Sequence, residues 1–234
     1  MGEVQLITVV IATLGCDSLA STIRSLNSGT VVPAEILVCV PVENASKVAH
    51  LDCGTTSIVQ TDFRGQVAQR GVGFRRASHS LVMQLDDDLL LDRCCLERLA
   101  ETLRYFGPKA AVAPALLDKK TGQSVYKKPA KHRIVLRLYY WLMNGTSGYV
   151  PGKIDLSGSS VGVDPSANSA RLYDVEWLAG GCVLHPLFSC KFEEEKNKKK
   201  QSISALEPYL ESTYSQCLLK KMKRNLKKNT ESRL

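Results

Sequence analysis

The chain alternates short β-branched apolar runs with segments of helical spacing, and this alternation constrains its fold more than any other feature. Gln5 to Ala12, Glu35 to Val40, Ser57 to Thr61, Leu81 to Leu85 and Ala110 to Leu116 read as strands. Between them, Leu19 to Leu26 has helical spacing at Leu19, Ile23 and Leu26. Arg64 to Ser78 also reads as a helix, and a helix over Asp92 to Tyr105 places Leu96, Leu99 and Leu103 on one face. Such alternation predicts an α/β domain with a mostly parallel central sheet flanked by helices. Ligands of such sheets bind at the carboxyl ends of the strands. Thr13-Leu14-Gly15-Cys16, Asp62 to Arg70 and Asp86-Asp87-Asp88 all fall at such ends.

The aspartate triplet follows the apolar run Leu81-Val82-Met83-Gln84-Leu85. Three adjacent carboxylates at the end of a buried strand repel one another and are poorly solvated, and a bound cation relieves both problems. Hard oxygen ligands suit Mg²⁺ or Mn²⁺, usually shared with a phosphate. The competing reading is a solvated acidic turn in which Asp88 or Asp92 caps the next helix. On an extended segment, side chains two apart share a face with a repeat of roughly 6.5–7 Å, so Asp86 and Asp88 are expected to face one ligand together.

No stretch reaches the ~18 uninterrupted apolar residues of a membrane span. The amino-terminal residues show no signal-peptide pattern, and Leu6 stands where a myristoylation signal needs Ser or Thr. Eight cysteines are scattered without a Cys-x-x-Cys pair, which points to a reducing, cytoplasmic setting. The sequons at Asn44 and Asn144 then carry little weight. Of the net charge of +8, residues 191–234 contribute +6, from 12 Lys/Arg against 6 Asp/Glu. A basic tail of this kind suits an anionic membrane face or a solvated helix. It lacks a recognised nucleic-acid motif, and no nucleic-acid partner is expected. From Leu117 to Arg171 the periodicity fails except for an apolar cluster, Ile134 to Met143. Within it, Arg137 to Leu142 mixes basic and aromatic residues. The cluster is read either as a membrane-interface or lipid-substrate segment or as a local helix packed on its domain.

Four motifs in order resemble a family 2 glycosyltransferase. Thr8-Val9-Val10-Ile11-Ala12-Thr13-Leu14 is similar to that family's first strand and nucleotide loop. Gly65-Gln66-Val67-Ala68-Gln69-Arg70-Gly71-Val72-Gly73 resembles its helix start, and Gln84-Leu85-Asp86-Asp87-Asp88 its aspartate motif. Glu176-Trp177-Leu178-Ala179-Gly180-Gly181-Cys182-Val183-Leu184-His185 resembles its tryptophan-glycine-glycine segment. The resemblance covers roughly residues 5–117 and 172–186, with a fainter extension to about 222. It implies a single Rossmann-like nucleotide-diphospho-sugar transferase domain. Residues 1–116 would form the nucleotide-sugar-binding half, 117–190 an acceptor-side region with a long irregular excursion, and 191–234 a basic, partly helical tail.

The implied activity is metal-dependent, inverting transfer of a sugar from a nucleotide-diphosphate donor to a glycan or lipid-linked acceptor, in the cytoplasm or peripherally on the inner membrane face. By the resemblance, Asp86 contacts the nucleoside, Asp88 holds the Mn²⁺ or Mg²⁺ that bridges the diphosphate, with Asp86 as a second candidate ligand, and Asp87 lies between them within reach of the nucleotide. Thr13 belongs to the nucleotide loop. Arg70 is a candidate cation for phosphate or a base edge, or else an exposed helix residue. Glu43 is a weak stand-in for the base-contacting aspartate after the second strand. Gly180 and Gly181 would let backbone approach the donor sugar or acceptor. Trp177 either stacks on a sugar or packs in the core. His185 is read as a packing residue. The family's catalytic base is an aspartate before a leucine-rich helix, and Ser212 stands at that position here. Glu211 is the substitute base, and the alternative is a catalytically weak or inactive glycosyltransferase-like binding protein. A dinucleotide-binding dehydrogenase needs Gly-x-Gly-x-x-Gly after the first strand, where this chain has Thr13-Leu14-Gly15-Cys16-Asp17.

Overall fold

The computed structural model describes residues 6–126, 134–144, 150–164 and 172–187. The chain divides into two compact units. The described part of the larger lies within 6–112 and 180–187, and the smaller is Ala113–Ala179.

The larger unit is built on five strands: β1 (Ile7–Ala12), β2 (Glu35–Pro41), β3 (Thr56–Thr61), β4 (Leu81–Leu85) and β5 (Cys182–Pro186). Their order is β3-β2-β1-β4-β5. The first four pair in parallel, and β5 joins the edge antiparallel to β4. This is the mostly parallel α/β sheet that the alternation predicts. β1 is central and buried along its whole length, as its unbroken apolar run requires.

The helices are α1 (Leu19–Asn27), α2 (Ala45–Val48), α3 (Gln66–Arg76) and α4 (Cys95–Phe106), with α2 flanked by 3₁₀ turns at Val42–Asn44 and Ala49–Leu51. Alternate strand residues point to opposite faces. Ile7, Val9 and Ile11 of β1 therefore join Leu19, Ile23 and Leu26 of α1 and Leu96, Leu99 and Leu103 of α4 in one core layer. Val10 joins Phe74 and Ala77, at the end of α3, with Leu37, Cys39 and Val59 in the opposite layer. Helix α3 lies so close to the sheet that a Cβ on Gly73 would stand 2.3 Å from Val10 Cγ1 and 2.9 Å from Cys39 Sγ. Gly73 is thus a packing glycine.

Two expectations change. Ala110 to Leu116 does not form a strand; only Val112 makes a β-bridge, to Leu184. Pro114 lacks the N–H that a ladder needs, and the edge position is taken by β5. Asp92 does not begin the helix but sits before it, where its carboxylate accepts from the Cys94 backbone N–H at 3.0 Å.

In the smaller unit the apolar cluster forms helix α5 (Ile134–Asn144). Tyr139 anchors it: its hydroxyl lies 3.3 Å from Asp155 Oδ2 and 3.1 Å from Ser157 Oγ. No described helix is long and apolar enough to cross a membrane. The predicted basic tail, 191–234, lies outside the described residues.

Candidate functional site

The carboxyl edge of β1, β2 and β4 gathers the polar groups that the sequence singled out. Gln69, buried on the first turn of α3, clasps this edge. Its Nε2 donates to the carbonyls of Thr13 (3.0 Å) and Cys39 (2.8 Å), while its Oε1 accepts from the Gly65 N–H (3.2 Å). A polar side chain at 2 % exposure is tolerated because these partners replace the water it gives up. Sequence reasoning placed Gln69 in a motif but gave it no role. The signal was an amide among small residues at a helix start facing two strand ends.

Thr13 is itself buried. Its N–H bonds to the Cys39 carbonyl at 3.0 Å, and its hydroxyl donates to Asp87 Oδ2 while accepting from the Gly15 N–H at 2.9 Å. The Asp87 carbonyl accepts from Thr22 Oγ1 of α1 at 3.0 Å. Asp87 is therefore the aspartate that fixes the loop to the fold.

Asp86 has a different task. Its Oδ1 pairs with Arg70 Nη2 and accepts from Gln66 Nε2 at 2.8 Å. Arg70 is buried, with 8 % of its surface exposed, so it is an inward-facing cation and not an exposed helix residue. Burial raises the Asp86 pKa, Arg70 opposes this, and the neighbouring Asp88 and Asp87 charges raise it further. The net result lies above the ordinary aspartate value: one guanidinium does not offset burial and two adjacent carboxylates.

Asp88 is exposed and makes no hydrogen bond to a described residue. Asp87 and Asp88 lie in a turn and do not continue the extended strand. The two-residue repeat of a strand therefore does not govern Asp86 and Asp88. Their separate roles follow from what each one touches.

The antiparallel β5 supplies the other wall. The Gly181 carbonyl accepts from the Asp86 N–H at 2.7 Å, and a Cβ on Gly181 would stand 2.9 Å from Asp86 Oδ2. Gly181 lets backbone lie against this carboxylate. Gly180 accepts at its carbonyl from Gln84 Nε2 at 2.9 Å, and a Cβ on it would stand 3.7 Å from Gln84 Nε2 and 3.9 Å from Arg70 Nη1. In β5, His185 packs edge-on against Phe74 at 5.5 Å between ring centroids, and burial holds its pKa low. It behaves as the packing histidine expected.

Glu43 follows β2 and pairs with Arg64 at 2.7 Å, with both side chains largely exposed. Trp177 belongs to the smaller unit. There its indole N–H donates to the Val161 carbonyl at 3.0 Å and its ring meets Tyr126 edge-on, which satisfies it internally. Glu211 and Ser212 lie outside the described residues.

Among the described residues no three His, Cys, Asp or Glu side chains cluster to hold a metal ion. The donor set nevertheless suits one kind of site. Mg²⁺ and Mn²⁺ accept one or two carboxylates and complete their shell with substrate phosphates and water. Asp88 supplies an uncommitted carboxylate of this kind, whereas Asp86 Oδ1 is already engaged by Arg70 and Gln66.

Neither a family model nor a curated protein matches the chain. Solved structures do resemble it in backbone. One is a mannosyltransferase from Pyrobaculum calidifontis in complex with GDP-Man and Mn²⁺, at 14% identity over 80% of this chain and 46% of that one, with a TM-score of 0.48. Another is TarS from S. aureus in complex with UDP-GlcNAc, at 13% identity over 81% of this chain and 48% of that one, with a TM-score of 0.49. The chain thus spans about half the length of these structures.

Proposed function

We propose that this chain is a glycosyltransferase of the family 2 type that binds a nucleotide-diphosphate sugar at the carboxyl edge of β1 and β4. The observation that carries the reading is the division of labour in the triplet: Asp87 is tied to Thr13, Asp86 to Arg70 and Gln66, and Asp88 is left open beside them. A plain acidic turn has no need of a buried arginine facing it.

In this reading Asp88 holds Mn²⁺ or Mg²⁺ together with the donor diphosphate. The bound cation supplies Lewis-acid neutralisation of the leaving diphosphate. Asp86, oriented by Arg70 and Gln66, accepts a hydrogen bond from the nucleoside. Arg70 opposes the effect of burial on that carboxylate and stands within reach of a phosphate. Thr13 and Gln69 fix the loop against which the nucleotide lies. Gly180 and Gly181 keep the β5 side low enough for a sugar. Glu43 is the candidate contact to the nucleobase. Glu211 takes the proton of the acceptor hydroxyl, in an inverting transfer to a glycan or lipid-linked acceptor.

Ser212, at the position where the resemblance expects a base, favours a second reading, a donor-binding protein without turnover. Incubating the protein with UDP-, GDP- and dTDP-sugars, Mn²⁺ and a panel of glycan and polyprenyl-phosphate acceptors, and following nucleoside diphosphate release, separates the two. Transfer predicts release that falls about a hundredfold or more in Asp88→Asn. It also predicts loss of release in Glu211→Gln. Release that is indifferent to Asp88→Asn overturns the site. Donor binding without release, unchanged by Ser212→Asp, selects the second reading.

A further inference from the structure

We propose that α5 is a membrane-docking element whose exposed apolar face inserts into an anionic bilayer surface. Ile134, Val135, Leu138, Trp141 and Leu142 are 54–80% exposed. Their spacing of one, four, seven and eight residues from Ile134 puts all five on one side of the helix. Tyr139, Tyr140 and Met143 occupy the other side and are half-buried, and Tyr139 is held by Asp155 and Ser157. A helix ordinarily turns its apolar stripe inward. α5 instead turns Tyr139, Tyr140 and Met143 inward and leaves the stripe in water, which marks a surface meant to be covered.

The charge of the flanking sequence says by what. Between Asp118 and Asp155 the chain carries eight Lys/Arg and no Asp or Glu, and five of the eight fall within residues 127–137. Each basic residue near an anionic leaflet contributes attraction, and a Trp among aliphatic residues suits the headgroup boundary. A second copy of the chain would bring like charge to like charge. The helix is too short to span a bilayer, so it lies in the interface. This assignment stands apart from the donor-site reading.

The test uses the full chain with vesicles of phosphatidylglycerol and phosphatidylcholine, beside vesicles of phosphatidylcholine alone. The expected result is salt-sensitive binding to the anionic vesicles that weakens about tenfold or more in Leu138→Glu/Leu142→Glu. Acyl-brominated lipid should quench the emission of the bound protein, and this quenching should be lost in Trp141→Phe, which leaves Trp177 as the sole tryptophan. Quenching that persists in Trp141→Phe overturns the proposal, as does equal binding by the Glu variant or no vesicle binding. A concentration-dependent dimer that only the Glu variant abolishes, without vesicle binding, assigns the face to a second copy. Should the Glu variant fail to fold, the quenching pair decides alone.

Discussion

Glu35 opens β2 at the amino end of the sheet, and Asp86 follows β4 at the carboxyl end. Glu35 Oε2 accepts from Thr8 Oγ1 at 2.7 Å and the Ser78 N–H at 2.9 Å, and its Oε1 accepts from Ser78 Oγ at 2.9 Å. His79 Nδ1 stands 3.9 Å away. Burial raises the Glu35 pKa, but these hydrogen bonds and the His79 charge carry it below the ordinary value. At the other end, Arg70 pairs with Asp86, and burial and the neighbouring Asp88 and Asp87 charges hold the Asp86 pKa above the ordinary value. The same sheet thus holds one acid that the fold has satisfied and a group of acids that it has left in need of positive charge. The first is architecture. The second has the character of a candidate site, because a fold gains nothing from crowding carboxylates that no ligand will neutralise.

Substitutions sharpen this contrast. The largest effect falls on ligand binding. Asp88→Asn should weaken Mn²⁺-dependent binding of a nucleoside diphosphate about a hundredfold while the melting temperature holds, because Asp88 supports nothing else. Glu35→Gln should leave that binding unchanged. If both variants lose binding alike, the distinction between the two ends collapses. Next, Gln69→Leu takes the side-chain donor from the Thr13 carbonyl and the acceptor from the Gly65 N–H, leaves the Cys39 carbonyl with the Thr13 N–H alone, and should cost about 2 kcal/mol of stability by denaturant unfolding. Gly181→Ala presses a methyl against Asp86 Oδ2 and should weaken nucleotide binding several-fold, with about 1 kcal/mol of stability lost.

Glu35→Gln itself should have the smallest effect, about 1 kcal/mol at neutral pH. The sign of its pH dependence follows from a depressed pKa. The stabilisation is complete above the ordinary value of 4.5 and is lost as pH falls through the lower folded-state value. The wild-type advantage over Glu35→Gln should therefore shrink on the acid side of 4.5, and an advantage that grows there would contradict the assignment.

The parallel core was legible because β1, β2 and β4 are buried on both faces and so write continuous apolar runs. The antiparallel β5 was not read as a strand. Cys182–Pro186 is short and ends in proline, and its pairing with β4 spans about a hundred residues of chain, which no local pattern records. The turn at Asp87 and Asp88 was one of two readings of the triplet, and the extended one, with Asp86 and Asp88 on a shared face, gives way because the strand ends at Leu85 without a Gly or Pro to mark it. Arg70 had two equal readings in sequence, and its burial selects the inward one. α5 had two readings in sequence, a membrane-interface or lipid-substrate segment or a helix packed on its domain, and the exposure of its apolar stripe favours the first.

The most direct test is calorimetric titration of the protein with UDP, GDP and dTDP in the presence of Mn²⁺, beside Asp86→Ala/Asp88→Ala. The account predicts that one nucleotide binds only when the metal is present, and that the double variant, still folded, does not bind it. Failure of all three to bind the wild type, or equal binding by the double variant, would contradict the assignment of this edge as a donor site.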